Sequence, residues 1–210
     1  MALLSYSWSS DAEELAKTLM DRYPEKRSAT MPLLYIAMRE DGHLTDDGMR
    51  KVAELVGLTP AQVSSVASFY TMYKREPVGK YLVSVCTSIS CWLLGGDDVL
   101  HAVEDEVGVP HGQTDDEGLI SPEHVECIGA CGGAPAIQVN YEFVEGVTPD
   151  KARELVRWLK TALPETAFGD EMQELFGGTP GFEWAIPDHD GASAAVPAFQ
   201  PLGTVESRNG

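Results

Sequence analysis

The chain has 210 residues, 43% of them hydrophobic, with 33 Asp and Glu against 15 Lys and Arg, a formal charge of −18. That balance excludes a phosphate-tracking nucleic-acid binder or a binder of anionic lipid, because both need clustered basic side chains. The length admits one or two domains with a real core. Four cysteines are too few for a disulfide scaffold, and no stretch approaches the roughly 18 consecutive apolar residues of a membrane span. The N-terminus has no cationic start and no long apolar run, so it does not read as a secretory signal. A soluble, cytoplasmic, acidic protein is expected.

The charge is uneven. Residues 1–80 hold 10 basic and 11 acidic side chains, residues 81–162 hold 4 and 14, and residues 163–210 hold 1 and 8. All four cysteines lie in the middle segment.

Residues 10–77 read as a small helical bundle. Ser10 and Glu13 have the spacing of a capping box, ahead of Leu15, Leu19 and Met20. A second helix is expected near Pro32, largely buried through Leu33, Leu34, Ile36, Ala37 and Met38, and stopped by Gly42. A third follows Thr45 and ends at Gly57. Thr59-Pro60-Ala61-Gln62 caps a fourth, whose stripe of Val63, Val66, Phe69 and Tyr70 reads as core.

After Pro77 and Gly79 the period changes. Tyr81 to Val85 is a short β-branched and aromatic run, read as a buried strand ending at Cys86. A helix over 97–107 follows, then strand fragments at Leu119-Ile120 and Val125, then paired strands over 136–139 and 141–144 turning near Asn140. Thr148-Pro149 caps an amphipathic helix through Ala152, Leu155, Val156, Trp158 and Leu159. The order β-α-β-β-β-α makes residues 78–162 an α/β domain. From residue 163 the pattern dissolves into an acidic tail in which 12 of 48 residues are Gly or Pro, expected to be extended or disordered. Its recurring aromatics (Phe168, Phe176, Phe182, Trp184, Phe199) suit docking on a partner.

Cys86 and Cys91 are spaced C-x4-C and Cys127 and Cys131 C-x3-C, each pair on a loop beside a strand. Two such pairs can converge on one four-thiolate site. Structural zinc takes four thiolates but commonly uses tighter knuckles, and a zinc-stabilised interaction module stays as the alternative. A redox dithiol would need C-x-x-C, which is absent, and disulfides do not suit a reducing compartment. A [2Fe–2S] centre, two irons each completed by two thiolates, fits the pairs best. Thr87, Ser88 and Ser90 offer short donors, and Gly129, Gly132 and Gly133 permit close backbone approach to sulfur. No histidine falls within either pair, and His101, His111 and His124 read as surface or packing residues. Reduction would add charge to a centre already anionic within an acidic segment, which lowers its potential, while backbone donors raise it. One-electron transfer is the natural chemistry, since no base, nucleophile or substrate pocket is legible.

Val85 to Cys91 and Glu126 to Pro135 together resemble the thioredoxin-like [2Fe–2S] ferredoxin family, and within it the small peripheral iron–sulfur subunits of proton-pumping NADH:quinone oxidoreductases (complex I). The helical prefix agrees, through Pro32-Leu33-Leu34, Gly57, Pro60-Ala61-Gln62-Val63, Ser68 to Tyr73 and Pro77 to Tyr81. The resemblance covers roughly residues 10–162. It implies a helical domain joined to a thioredoxin-like domain with a mixed sheet, and one cluster at Cys86, Cys91, Cys127 and Cys131. It also implies docking against a larger FMN-binding, NADH-oxidising subunit and other peripheral-arm subunits, at the inner face of the cell membrane without insertion. FMN and NADH then belong to the partner, as this chain shows no phosphate-binding glycine loop, and Gly95-Gly96 reads as a turn beside the cluster. NAD-linked hydrogenases and formate dehydrogenases use the same module, and spacing does not separate them.

Overall fold

The computed structural model describes residues 6–178, and the chain divides into two compact units between Pro77 and Val78. Phe182, Trp184 and Phe199 of the expected docking tail lie outside the described residues.

The first unit is built from α1 (Ser10–Met20), a 3-10 turn at Lys26–Ala29, α2 (Thr30–Asp41), α3 (Asp46–Val56) and α4 (Pro60–Phe69). Thr45 caps α3 by accepting from the Gly48 amide, and Thr59 with Gln62 forms a full capping box on α4. Gly42 and Gly57 end α2 and α3 in the left-handed conformation that a side chain resists. Leu33, Leu34, Ile36, Ala37 and Met38 of α2 are all buried, with Val52 and Ala53 of α3, Val63 and Ala67 of α4, and Leu19 of α1 in the same core. Truncating a side chain as enclosed as Leu33 costs about 2–5 kcal/mol.

Two local expectations are corrected. The cap of α1 is Ser9, whose hydroxyl accepts from the Ala12 amide, so Ser10 is already helical and Glu13 reaches instead to Lys51 at 2.7 Å. Phe69 is not core. The chain leaves helical geometry at Tyr70, and the Phe69 ring is 77% exposed.

The second unit is a four-stranded mixed sheet with helices. Its strands are β1 (Tyr81–Cys86), β2 (Ile120–Val125), β3 (Ala136–Val139) and β4 (Glu142–Glu145), in spatial order β2-β1-β3-β4. β1 pairs parallel with β2 and antiparallel with β3, and β3 pairs antiparallel with β4. The parallel crossover runs through α5 (Ile89–Leu93) and α6 (Gly96–Val107), while α7 (Pro149–Ala162) and α8 (Gly169–Phe176) follow the sheet. Pro122, which has no amide to give a ladder, sits in edge strand β2. Asn140 and Tyr141 both take positive φ, 51° and 73°, in the tight turn that a two-residue hairpin needs.

β1 is buried along its whole length, as a central strand should be. Tyr81, Val83 and Val85 join one core with Val99 and Val103 of α6, Ile137 and Val139 of β3, and Leu155 and Leu159 of α7. Strand alternation puts Leu82, Ser84 and Cys86 on the opposite face.

Helix α8 lies within the stretch from 163 that periodicity left unstructured. Ala167, Met172 and Phe176 are buried in the sheet's own core, and the Phe176 ring packs on Trp158 of α7 with centroids 5.6 Å apart. So few apolar contacts among acidic neighbours make too faint a stripe to stand out from a Gly- and Pro-rich background.

Candidate metal centre

β1 delivers Cys86 at its last residue, where the ladder to β2 closes with the Thr87 amide donating to Val125 O. The chain then turns into α5, whose third residue is Cys91. Both cysteines are 2% exposed, in an apolar nest with Ala136 and, partly buried, Ile128, Ala130 and Ala134.

Gly96 makes this corner possible. A methyl there would lie 2.8 Å from Cys86 O and 2.9 Å from Cys91 C and O, so the start of α6 rests directly on the backbone of both cysteines. Gly95 before it takes φ +96°. The glycine pair therefore serves the turn and the close approach read from sequence.

Cys127 and Cys131 occupy the loop between β2 and β3 and are exposed. Their sulfurs stand 3.6 Å apart. Gly129 turns this loop with φ +87°. Ala134–Pro135, a cis peptide, leads from it into β3. The two cysteine loops are tied together where Ser88 Oγ donates to Glu126 at 3.0 Å.

The role expected of Gly133 is corrected. Its missing side chain makes room for Glu145 of β4, whose Cβ would stand 2.6 Å from an added methyl, and its amide donates to Ala130 O. His111 accepts or donates at Glu104, 2.6 Å away, and tilts against His124 on the surface.

The electrostatics separate the pairs. Burial pushes the Cys91 thiol up to about 11, against a favourable hydrogen bond from the Ala136 amide and with the adverse charges of Cys86 and Cys131. The Cys131 thiol is also raised, chiefly by its hydrogen bond with Cys127 and then by that neighbour's charge. The Cys91 and Cys131 thiols thus resist ionising beside their neighbours. A cationic metal core relieves that repulsion.

The donor set fits a binuclear iron–sulfur group. A tetrahedron with metal–sulfur bonds of about 2.3 Å has an edge near 3.8 Å, close to the Cys127–Cys131 separation. Two thiolate pairs, one enclosed and one facing outward, match two irons that each take two protein ligands. None of the four cysteines is in a disulfide.

This architecture defines a class. The family model of the thioredoxin-like [2Fe–2S] ferredoxins matches residues 16–160, and the chain belongs to that family. Among its relatives is a component of the NADH-quinone oxidoreductase of Mycobacterium tuberculosis, 47% identical over 150 residues, covering 71% of this chain and 60% of the relative. A component of the Thermus thermophilus NADH-quinone oxidoreductase is 37% identical over 153 residues, covering 71% and 84%. Another, from the Rickettsia conorii enzyme, is 37% identical over 145 residues, covering 68% and 87%. The match thus spans about 60% of the length of the mycobacterial relative. A crystal structure of an NAD+-reducing [NiFe]-hydrogenase superposes with a TM-score of 0.57 at 18% identity, over 70% of this chain and 25% of that one, which is a likeness of fold.

Sequence reasoning missed three features of this region. Helix α5 has only five residues, too few to display a period, and α8 was hidden by composition. The Ser88–Glu126 bridge joins residues 38 apart, which no local pattern reports.

Proposed function

We propose that this chain holds one [2Fe–2S] cluster on Cys86, Cys91, Cys127 and Cys131. It serves as a one-electron-transfer subunit beside the FMN-binding, NADH-oxidising subunit of an NADH:quinone oxidoreductase. The observation that carries this reading is the pairing of the four cysteines, Cys86 with Cys91 in an enclosed nest and Cys127 with Cys131 3.6 Å apart on the exposed loop, with Ser88 bridging the two loops through Glu126. The relatives' names supply the assembly.

The bound cluster would supply reversible one-electron chemistry. The chain's residues do the rest. Cys86 and Cys91 would hold the group from an enclosed apolar nest that excludes water. Cys127 and Cys131 would hold it from the surface, where a partner's redox group can approach. Beside them α5 turns outward Ile89, Trp92 and Leu93, with Leu94 following. These four are 75, 56, 68 and 62% exposed. Such an apolar cluster next to a redox site suits a protein interface. FMN and NADH reside on that partner. No helix among the described residues is long and apolar enough to cross a membrane. The chain joins the inner face of the cell membrane through its complex.

The test is anaerobic reconstitution of the full chain with iron and sulfide. Two irons and two labile sulfides per chain, with a rhombic EPR signal on reduction, are expected. Stoichiometric zinc without sulfide in the native protein would overturn the reading in favour of a zinc-stabilised module. Co-purifying subunits then decide the assembly, with a hydrogenase or molybdenum subunit pointing to the NAD-linked hydrogenase or formate dehydrogenase alternative.

A further inference from the structure

Cys127 and Cys131 sit on an exposed loop that contains only a single 3-10 turn at Cys131–Gly133. What fixes that loop from beneath is β4 and its exit. The Gly146 amide donates to Gly133 O at 2.6 Å, the Val147 amide to Pro135 O at 3.0 Å, and the Glu145 side chain lies against Gly133. β4 is itself an edge strand, with β3 on one side. Its outer side at Glu145 is closed by the segment after α7. Gln173 Oε1 accepts from the Glu145 amide at 2.7 Å, and Gln173 Nε2 donates to Glu145 O at 3.2 Å and to Gly178 O at 2.9 Å. The Gly178 amide adds a bond to Glu145 O at 2.8 Å. One primary amide thus takes the place of a fifth strand at a single residue.

Gly146 and Gly178 let the two backbones meet. A methyl on Gly146 would lie 2.9 Å from Gly178 Cα, and one on Gly178 would lie 2.8 Å from Gly146 O. Met172 and Phe176 anchor α8 in the core, so Gln173 is presented from a fixed base. All of this latching chemistry on α8 lies beyond residue 160, where the family match ends.

We propose that residues 169–178 are a latch on the outer cysteine loop, with Gln173 as its positioning residue. The inference rests on Cys127 and Cys131 being cluster ligands. Gln173 fixes Glu145, Glu145 and Gly146 fix Gly133, and Gly133 fixes the direction of Cys131 two residues earlier. The segment that composition marks as an extended or disordered tail begins with a part of the metal centre's frame.

The test compares the full chain with Gln173→Ala and Gln173→Glu. The second variant keeps the shape but replaces two donors by oxygen facing the carbonyls of Glu145 and Gly178. In chains loaded with iron and sulfide, both variants should lose the cluster to a chelator about fivefold faster, the scale of one net hydrogen bond, and show an altered EPR line shape. In unloaded chains, amide exchange at Gly133 and Gly146 should quicken by a similar factor, with Val103 and Leu155 unchanged. Wild-type rates and spectra in both variants would overturn the latch, as would equal acceleration at Val103 and Leu155, which would mean general loosening. If the wild type takes up no cluster, the ligand assignment falls separately, while the exchange data still report on the contact itself.

Discussion

Asn140 and Leu82 hold each other twice. The Leu82 amide donates to Asn140 Oδ1 at 2.8 Å, and the Asn140 amide returns a bond to Leu82 O at 3.0 Å. Asn140 Nδ2 also donates to Lys80 O at 3.0 Å, so this residue, only 2% exposed, stitches the hairpin turn to the start of the strand that ends at Cys86. Replacing Asn140 by Ala leaves a buried donor and an acceptor unmet and puts a worse residue at φ 51°. A loss of about 2–3 kcal/mol is expected, read as a lower denaturant midpoint at unchanged slope.

The two cysteine pairs should differ in reactivity before any metal is bound. Cys86 and Cys91 are buried, and burial raises the Cys91 thiol, whereas Cys127 and Cys131 are exposed. A thiol reagent added to unloaded chain should label two cysteines rapidly and two at least about tenfold more slowly, the slow pair by way of local opening. Peptide mapping should place the fast label on Cys127 and Cys131. Uniform labelling would contradict the enclosed geometry.

Exposed α5 gives a prediction about assembly. Trp92→Asp or Leu93→Asp adds charge to a surface already open to water, so folding stability should change by less than about 0.5 kcal/mol. Cluster content should be preserved. Recovery of the proposed flavin-binding partner with the tagged chain should fall severalfold, and full recovery would remove this face from the interface.

Gly96→Ala tests the corner beneath the inner pair. Its methyl would meet the backbone of Cys86 and Cys91, which cannot swing aside as a flexible side chain does. Gly95→Ala, where the nearest side-chain atom would be 3.7 Å away but φ is +96°, strains only the turn. The Gly96 variant should bind less iron than the Gly95 variant at matched protein concentration. Overpacking of this kind costs about 1–3 kcal/mol.

Glu104 sets a pH-dependent contribution. Its burial raises the carboxyl, but the backbone and side-chain hydrogen bonds from His111 outweigh this and hold it below its ordinary range. A lowered folded-state value means stability that is present above the unfolded carboxylate range and disappears as pH falls through the folded one. Glu104→Gln should therefore cost about 0.5 kcal/mol at neutral pH, the scale of an exposed pair, and the difference should close on acidification below about pH 4. Thermal melts of both proteins across that window measure it.

The bundle and the succession of strands and helices were legible because their signals are local. Thr59-Pro60 with Gln62, Gly42, Gly57 and the apolar run of α2 each specify a boundary or a face within a few residues. The cysteine pairs stood out for a different reason: all four cysteines fall in two close spacings and none lies elsewhere in the chain. Ser9 displaced Ser10 as the first cap because two adjacent serines offer the same chemistry, and only the path of the chain chooses between them. Phe69 was misplaced because helical spacing continued past the point where the helix ended. Gln173 carried no signal at all. Its partner Glu145 is 28 residues away, and a glutamine in an acidic stretch reads as solvated until the edge strand beside it is known.

Alternation along β1 has one more effect. Val83 and Val85 enter the helical core while Ser84 and Cys86 turn to the other face. A pairing slipped by one residue would exchange these two sets, turning Ser84 and Cys86 toward the core of α6 and α7 and parting Cys86 from its nest with Cys91. On the proposed ligand set such a chain would take up no cluster, so iron content would report whether the central strand has found its register.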